Sequence, residues 1–196
     1  PTEDSSGGVY ADSPARVVSQ MTGAKRKQYI ESDPSAVVEA CDQEAFFDSS
    51  YDEQLLIMIS HVIAVEGPVL DAVLARRISR AHGWQRTGSR IQERVEQLAR
   101  RAHQVTQEDV GSFYWPEGME PTGEVPFRWP VQDFRRSFDE VCIEELMSLA
   151  AIVDQPHLND DEVLVGMSRE LGVLSLRASS RVRLASALKM ARSDRA

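Results

Sequence analysis

The chain has 196 residues, 42% of them apolar and 27% charged, with a formal net charge of −9. That length admits one large domain or two small ones, the balance is ordinary for soluble globular protein, and the acidic total argues against a simple nucleic-acid coat protein. No run of about 18 apolar residues exists, so no membrane span is expected, and no basic segment followed by an apolar core marks a secretory signal. Cys41 and Cys142 stand alone, without a CxxC pair, which points to a reduced, cytoplasmic home. The first residue is Pro rather than Met, as expected of a processed chain or a piece of a longer one.

Residues 1–20 are rich in Ser, Gly, Asp and Pro and show no period. They read as a tail or linker, taken here to reach residue 28. Gly23-Ala-Lys25 lacks the spacing of a phosphate loop, and Lys25-Arg-Lys27 is only a short basic cluster. Residues 34–47 are expected to form a short helix, sticky at Val37, Val38, Phe46 and Phe47, that braces a first unit spanning 29–116.

A helix follows over 52–65, where Leu55, Leu56, Ile59, Val62 and Ile63 share one face. Gly67-Pro68 ends it, and Val69 is a candidate for a short strand. The second helix is expected over about 70–82, with Leu70, Val73, Leu74 and Ile78 inward and Arg76, Arg77 and Arg80 elsewhere on its surface. Gly83 suits its C-terminal cap. The third helix begins near Thr87 or Ser89, either of which can cap it. It buries Ile91, Val95, Leu98 and Ala102 and carries Arg90, Arg94, Gln97 and Arg101 as a parallel polar stripe. Val105 to Pro116 reads as two strands joined around Asp109-Val-Gly111, with Phe113, Tyr114 and Trp115 on alternating faces and at least one of them turned outward.

Residues 117–136 form a link rich in Pro and Gly, anchored by Phe127 and Trp129. A second unit over 137–196 is expected to hold helices near 138–152, 160–171 and 178–192, the middle one capped by Asn159 or Asp160. The register of the last is open. Ser180-Arg-Val182 matches Ser89-Arg-Ile91 as a motif, whereas Leu184, Leu188 and Ala191 match Ile91, Val95 and Leu98 by apolar spacing. The resulting fold class is mainly α: tandem winged-helix-like units, helix-turn-helix with a short β-hairpin wing in the first, the second wingless.

Charge is segregated along the chain. Residues 31–66 hold nine acids and no Lys or Arg, whereas 71–103 hold eight Arg against three acids, a net of +5. From Val163 onward seven basic residues face two acids, again +5. Local fields steer a polyanion more than the total does; alternatively, acidic and basic segments neutralise each other in the fold.

Val65-Glu-Gly-Pro-Val69, Arg86-Thr-Gly-Ser-Arg-Ile91 and Phe113-Tyr-Trp-Pro116 resemble an uncharacterised C-terminal domain of large bacterial superfamily 1 DNA helicases that also carry a Vsr-like endonuclease domain. The resemblance covers roughly 29–196 and is strongest over 50–116. It implies that an ATPase motor and a nuclease lie upstream, as partner domains of one parent chain. The second unit departs from the pattern, with Leu174 to Ser180 in place of the Arg-Thr-Gly turn.

No phosphate loop and no nuclease set of spaced acids plus Lys is visible, and the only lysines are Lys25, Lys27 and Lys189. His61 reads as a packed or capping residue. His82 sits in a turn and His103 at a helix end, where a protonated imidazole suits the dipole; with His157, none has zinc-ligand spacing. Glu144-Glu145 and Asp160-Asp161-Glu162 read as solvated faces and caps. The chain is therefore expected to be no enzyme and to need no metal or cofactor.

The basic third helix carries the functional expectation. Arg86, Thr87, Ser89 and Arg90 sit at its start, Arg94 one turn on and Arg101 near its end, a set suited to phosphates and base edges. Phe113 and Tyr114 are the wing candidates, and an outward aromatic there could part strands at a fork; Trp84, a further candidate wedge or stacking platform, reads first as core or interdomain packing. The expected partner is DNA, bound as duplex or fork with little sequence preference. The alternatives are a docking or dimerisation module, with the arginines paired to residues 31–66, and a transcription regulator, against which the acidic balance argues.

Overall fold

The computed structural model describes residues 26–131, 136–173 and 175–195. The expected tail therefore lies outside the described residues up to position 25, as does Gly23-Ala-Lys25. The described residues are mainly α: six helices and one small three-stranded antiparallel sheet. None of these helices is long and apolar enough to cross a membrane.

Helix α1 spans Asp52–Glu66. Its Leu55, Met58, Ile59, Val62 and Ile63 are buried at helical spacing, and Asp52 and Glu53 in its first turn complement the dipole. Strand β1 (Val69–Leu70) follows at once, then α2 (Asp71–Ala81), α3 (Ser89–Ala102), β2 (Val105–Glu108) and β3 (Gly111–Tyr114). The sheet order is β1-β3-β2, with Val69 opposite Tyr114 and Val105 opposite Tyr114 on its other side.

The aromatics of the hairpin lie inside the fold rather than at its surface. Phe113, Tyr114 and Trp115 are all buried, none more than 1% exposed. Tyr114 points at α3, its hydroxyl 3.5 Å from the Glu96 carbonyl, and Phe113 and Trp115, on the other face of the strand, belong to the same buried cluster, so no aromatic of the hairpin faces outward. Trp115 spends its indole N–H on the Thr106 hydroxyl at 2.9 Å.

The helix expected over 34–47 is not formed. Two 3-10 turns, Pro34–Val37 and Ala45–Phe47, take its place. Short-range hydrogen bonds compete with the helix: Asp33 accepts from the Ser35 amide at 3.0 Å, and Asp42 from the amides of Glu44 and Ala45 at 2.8 and 3.1 Å. Pro34 and Phe46 are buried, while Val37 and Phe47 stay at the surface.

After the link come α4 (Ile143–Val153), α5 (Asp160–Glu170) and α6 (Ala178–Ser193). The side chain of Asn159, rather than Asp160, caps α5, with Glu162 returning a bond to the Asn159 amide. A 3-10 turn over Phe138–Glu140 replaces the expected first turn of α4. The register of α6 follows apolar spacing: Leu184, Leu188 and Ala191 are buried, and Val182 is 68% exposed.

Buried apolar residues fall into two clusters, one around α1–α3 and the sheet, the other around α4–α6. The first helices of the two carry matching stripes. Leu55, Met58, Ile59 and Val62 recur as Leu146, Leu149, Ala150 and Val153, each pair 91 positions apart. The second helices end alike. Gly83 (φ +84°) and Gly172 (φ +73°) both take the left-handed conformation, and Trp84 and Val173 each donate an amide back to a serine carbonyl, Ser79 and Ser168, at 3.2 and 2.9 Å.

Two buried carboxylates, Glu66 and Glu145, each gather partners around them, and Arg128 links the two sites. Glu66 accepts from the Ser32 amide and hydroxyl (2.9 and 2.6 Å), from Arg77 Nε (2.8 Å) and from the Tyr29 hydroxyl. Arg77 is thus buried, not on the surface as its sequence position suggests. Glu145 accepts from Arg128 Nη2 (2.6 Å) and from both terminal nitrogens of Arg136 (2.8 and 2.6 Å). Arg128 also donates to the backbone carbonyls of Glu66 and, at 2.9 Å, Gly67. Glu145 is therefore no solvated face. Burial opposes its ionisation, but Arg136 and Arg128 together overcome that and hold the carboxyl at about 2.

Candidate nucleic-acid interface

The start of α3 is built from a turn, a glycine and three exposed side chains. The turn leaves α2 through Gly83, and Gly88 occupies the N-cap position of α3. Neither Thr87 nor Ser89 caps the helix, because a residue caps from the N-cap position and Gly88 fills it. The first carbonyl to accept helical bonds is that of Gly88, from Ile91 and Gln92 at 3.1 Å each. The amides of Ser89 and Arg90 precede those bonds, so no turn of the helix lies behind them to accept from them.

Arg86, Ser89 and Arg90 are exposed and Thr87 is half-buried. Arg86 makes no ion pair among the described residues. Arg90 lies over the ring of Phe47, its guanidinium carbon 4.6 Å from the centroid. Arg101 is exposed too, but it stands near the opposite end of α3, about 18 Å along the axis at 1.5 Å per residue.

Arg94 leaves this set. It donates to the carbonyls of Phe46 and Asp48 (3.0 and 2.8 Å) and pairs with Asp52 at 2.5 Å. It braces the 45–52 segment against α3. Neutralisation between segments therefore holds for Arg94 with Asp52 and for Arg77 with Glu31 (3.2 Å) and Glu66. It does not hold for Arg86, Arg90 and Arg101. Phe113 and Tyr114 lie on β3 of the expected hairpin, but buried, so they offer no surface to a ligand.

The aromatic that does reach the surface here is Phe47, 40% exposed. Beneath it Phe46 is fully buried and meets Phe47, His82 and Trp84 edge-on at 5.1, 4.9 and 4.8 Å. Trp84 stacks on His82, a packing role rather than a free wedge. His82 hydrogen-bonds Ile78 O at 2.8 Å and the Tyr51 hydroxyl at 3.1 Å, and burial pushes its pKa down. Burial does the same to His103, 2.8 Å from the Ser60 hydroxyl. Both rings thus favour the neutral form, against the expectation of protonated imidazoles.

Sequence reading names Phe47 only as sticky and misses its pairing with Arg90, which joins residues 43 positions apart. It also misses the seating of the hairpin: Glu108, the last residue of β2, pairs with Arg183 of α6. A lone acid in an apolar run, as in Val62 to Val69, is the one local signal that could have flagged Glu66.

Among the described residues no group of three or more His, Cys, Asp or Glu is placed to hold a metal ion. Residues 44–93, which run from the aromatic cluster through the first turn of α3, match the family described as a protein of unknown function, DUF3320. Neither the curated proteins nor the solved structures include a significant match to the chain.

Proposed function

We propose that this chain is a non-catalytic nucleic-acid-binding module, an accessory to the helicase and nuclease domains that the sequence resemblance implies. It holds DNA through its phosphates, with little sequence preference. The observation that carries the reading is the exposure of Arg86, Ser89 and Arg90 around the uncapped start of α3. Arginine forks and helical amides there suit a phosphate.

The order α1-β1-α2-α3-β2-β3, with sheet order β1-β3-β2, supports reading residues 52–115 as a winged-helix unit with α3 as its recognition helix. The matching stripes and helix ends of α4 and α5 support a second, related unit. With Arg94 engaged internally and the hairpin aromatics buried, few groups reach the DNA. Two or three phosphate contacts predict a slope of log affinity on log salt of about −2 to −3.

The test is fluorescence anisotropy with duplex, single-stranded and forked DNA at two salt concentrations. Micromolar binding that weakens with that slope, and is abolished by Arg86→Glu with Arg90→Glu, supports the reading. Absence of binding at low salt up to about 100 µM, weaker than ordinary non-specific affinity, sinks it.

A second reading, a docking module for its own parent chain, is favoured by the use of Arg94, Arg183 and Glu108 in internal contacts. Under that reading the double charge reversal leaves association with the upstream domains unchanged.

A further inference from the structure

The surface beside Arg86 and Arg90 holds one more feature suited to a nucleic acid. Phe46 and Phe47 are adjacent, yet one is fully buried and the other 40% exposed. Phe46 packs on His82 and Trp84 of the turn that follows α2, while Phe47 stays at the surface. Its backbone is also fixed: the carbonyls on either side, of Phe46 and Asp48, both accept from Arg94 at 3.0 and 2.8 Å. The ring is thus presented in a set position, with the Arg90 guanidinium over it and Arg90 itself exposed.

We propose that Phe47 and Arg90 form a stacking platform for an unpaired nucleobase, so that the module engages the point where duplex DNA opens into single strand. This rests on the reading of the chain as a nucleic-acid-binding module.

The chemistry favours a base over an apolar side chain. The Arg90 guanidinium, lying over the Phe47 ring, offers a flat cationic surface backed by an aromatic ring, on which any base can stack with cation–π attraction. Arg86 and Arg90 stand ready for the adjoining phosphates. Glu44 and Asp48, exposed in the same segment as Phe47, disfavour a phosphate beside themselves and leave Arg86 and Arg90 as its partners. A base inside a duplex already stacks on both faces, so only an unpaired base gains from the platform. Phe47 lies on the 3-10 turn Ala45–Phe47, not on the hairpin, whose aromatics are buried.

The test compares a fork with a blunt duplex of equal length, each carrying a fluorescent adenine analogue next to the junction. For the wild type, the fork should bind more tightly and the unpaired analogue should be quenched. Phe47→Ala should weaken fork binding between about 5-fold and 150-fold, the range expected for one stacked base, and leave duplex binding within about 2-fold. Phe47→Trp should retain fork preference and quenching. An unchanged thermal midpoint for Phe47→Ala, expected for an exposed side chain, shows that the fold is intact.

Equal affinity for fork and duplex, no quenching, or equal losses on both DNAs with Phe47→Ala would each overturn the platform while leaving the DNA-binding reading in place. Loss of self-association in Phe47→Ala with fork binding intact would also overturn it and make Phe47 a protein contact. Failure of the wild type to bind any DNA would instead remove the reading on which the platform rests.

Discussion

Arg183 of α6 meets Glu108 of β2 at 2.5 Å, with each side chain only 11% exposed. The other oxygen of Glu108 accepts from the Ile143 amide, the first of α4, at 3.0 Å. Arg183 in turn donates to the carbonyl of Val141 at 2.7 Å. One hairpin carboxylate therefore caps one helix of the second cluster and holds a cation on another, where Cys142 at the N-cap provides no side-chain cap. The expected wing is seated on its neighbour, which sets it apart from a hairpin that swings freely over DNA.

Glu108→Ala should accordingly cost about 2–4 kcal/mol, because it uncaps α4 and leaves Arg183 unpaired out of bulk water. Arg183→Ala should cost a similar amount, and the double variant less than the sum, with a coupling of about 1–3 kcal/mol. Urea unfolding of the four proteins measures this. Additive losses would mean that the pair does not act as a unit.

The Glu145 cluster makes stability depend on pH. Its folded pKa, about 2, lies below the value near 4.3 of an unfolded glutamate. The ionised form is therefore favoured by folding. The stabilisation is complete above about pH 5 and disappears as pH falls towards about 2, with an amplitude of about 3 kcal/mol. Glu66 is lowered as well, its burial outweighed by Arg77, Ser32 and Tyr29, and adds loss in the same direction. Glu144 acts oppositely, since burial and Glu108 raise its pKa. His82 and His103, kept neutral by burial, begin a shallower loss as pH drops below about 6.5. Urea midpoints at neutral, mildly acidic and strongly acidic pH should show a gentle slope and then a steep one. Glu145→Gln, unable to ionise, should be less stable at neutral pH and lack most of the steep part; an unchanged steep part would assign it elsewhere.

These two clusters mark where sequence reading stops. The stripe of Leu55, Ile59, Val62 and Ile63, the glycine at 83 and the turn at Asp109-Val-Gly111 are local patterns, and the elements they predict are present with small shifts at the ends. Period also decides α6, because burial must follow Leu184, Leu188 and Ala191 whatever motif surrounds Val182. Glu108 with Arg183, Arg94 with Asp52 and Arg128 with Glu145 pair residues from different elements, and no spacing rule connects them. Arg90 and Arg94 illustrate the limit within the candidate site. They are one helical turn apart on one stripe, yet the first faces solvent over Phe47 and the second is spent on backbone carbonyls, because the segment before α1 crosses α3 at that height.

The matching turns after α2 and α5 should respond alike to substitution. At φ +84° and +73°, Gly83 and Gly172 occupy backbone that L-residues adopt at a cost of about 1 kcal/mol. A Cβ on Gly83 would meet nothing within 4 Å, so Gly83→Ala reports the backbone cost alone. Gly83→Ala and Gly172→Ala should each lower stability by about 1 kcal/mol, and Gly83→Asn by less, since Asn tolerates this region better. A neutral Gly172→Ala in thermal unfolding would separate the two turns and weaken the kinship of the units.

Gly88 offers the sharpest separation of stability from binding. It sits at the N-cap of α3 with φ −78° and ψ 158°, open to any residue, and a Cβ there would meet nothing within 4 Å. Gly88→Asp supplies the missing cap and a charge that suits the helix dipole, and should stabilise the protein by about 0.5–1 kcal/mol. The same carboxylate covers the amides proposed to hold a phosphate and repels it beside Arg86 and Arg90. DNA affinity should therefore fall while the unfolding midpoint rises. Gly88→Ser, a neutral cap, should stabilise by only a few tenths of a kcal/mol and weaken binding less. If Gly88→Asp raises stability and leaves DNA affinity unchanged, the start of α3 is not where the phosphate lies.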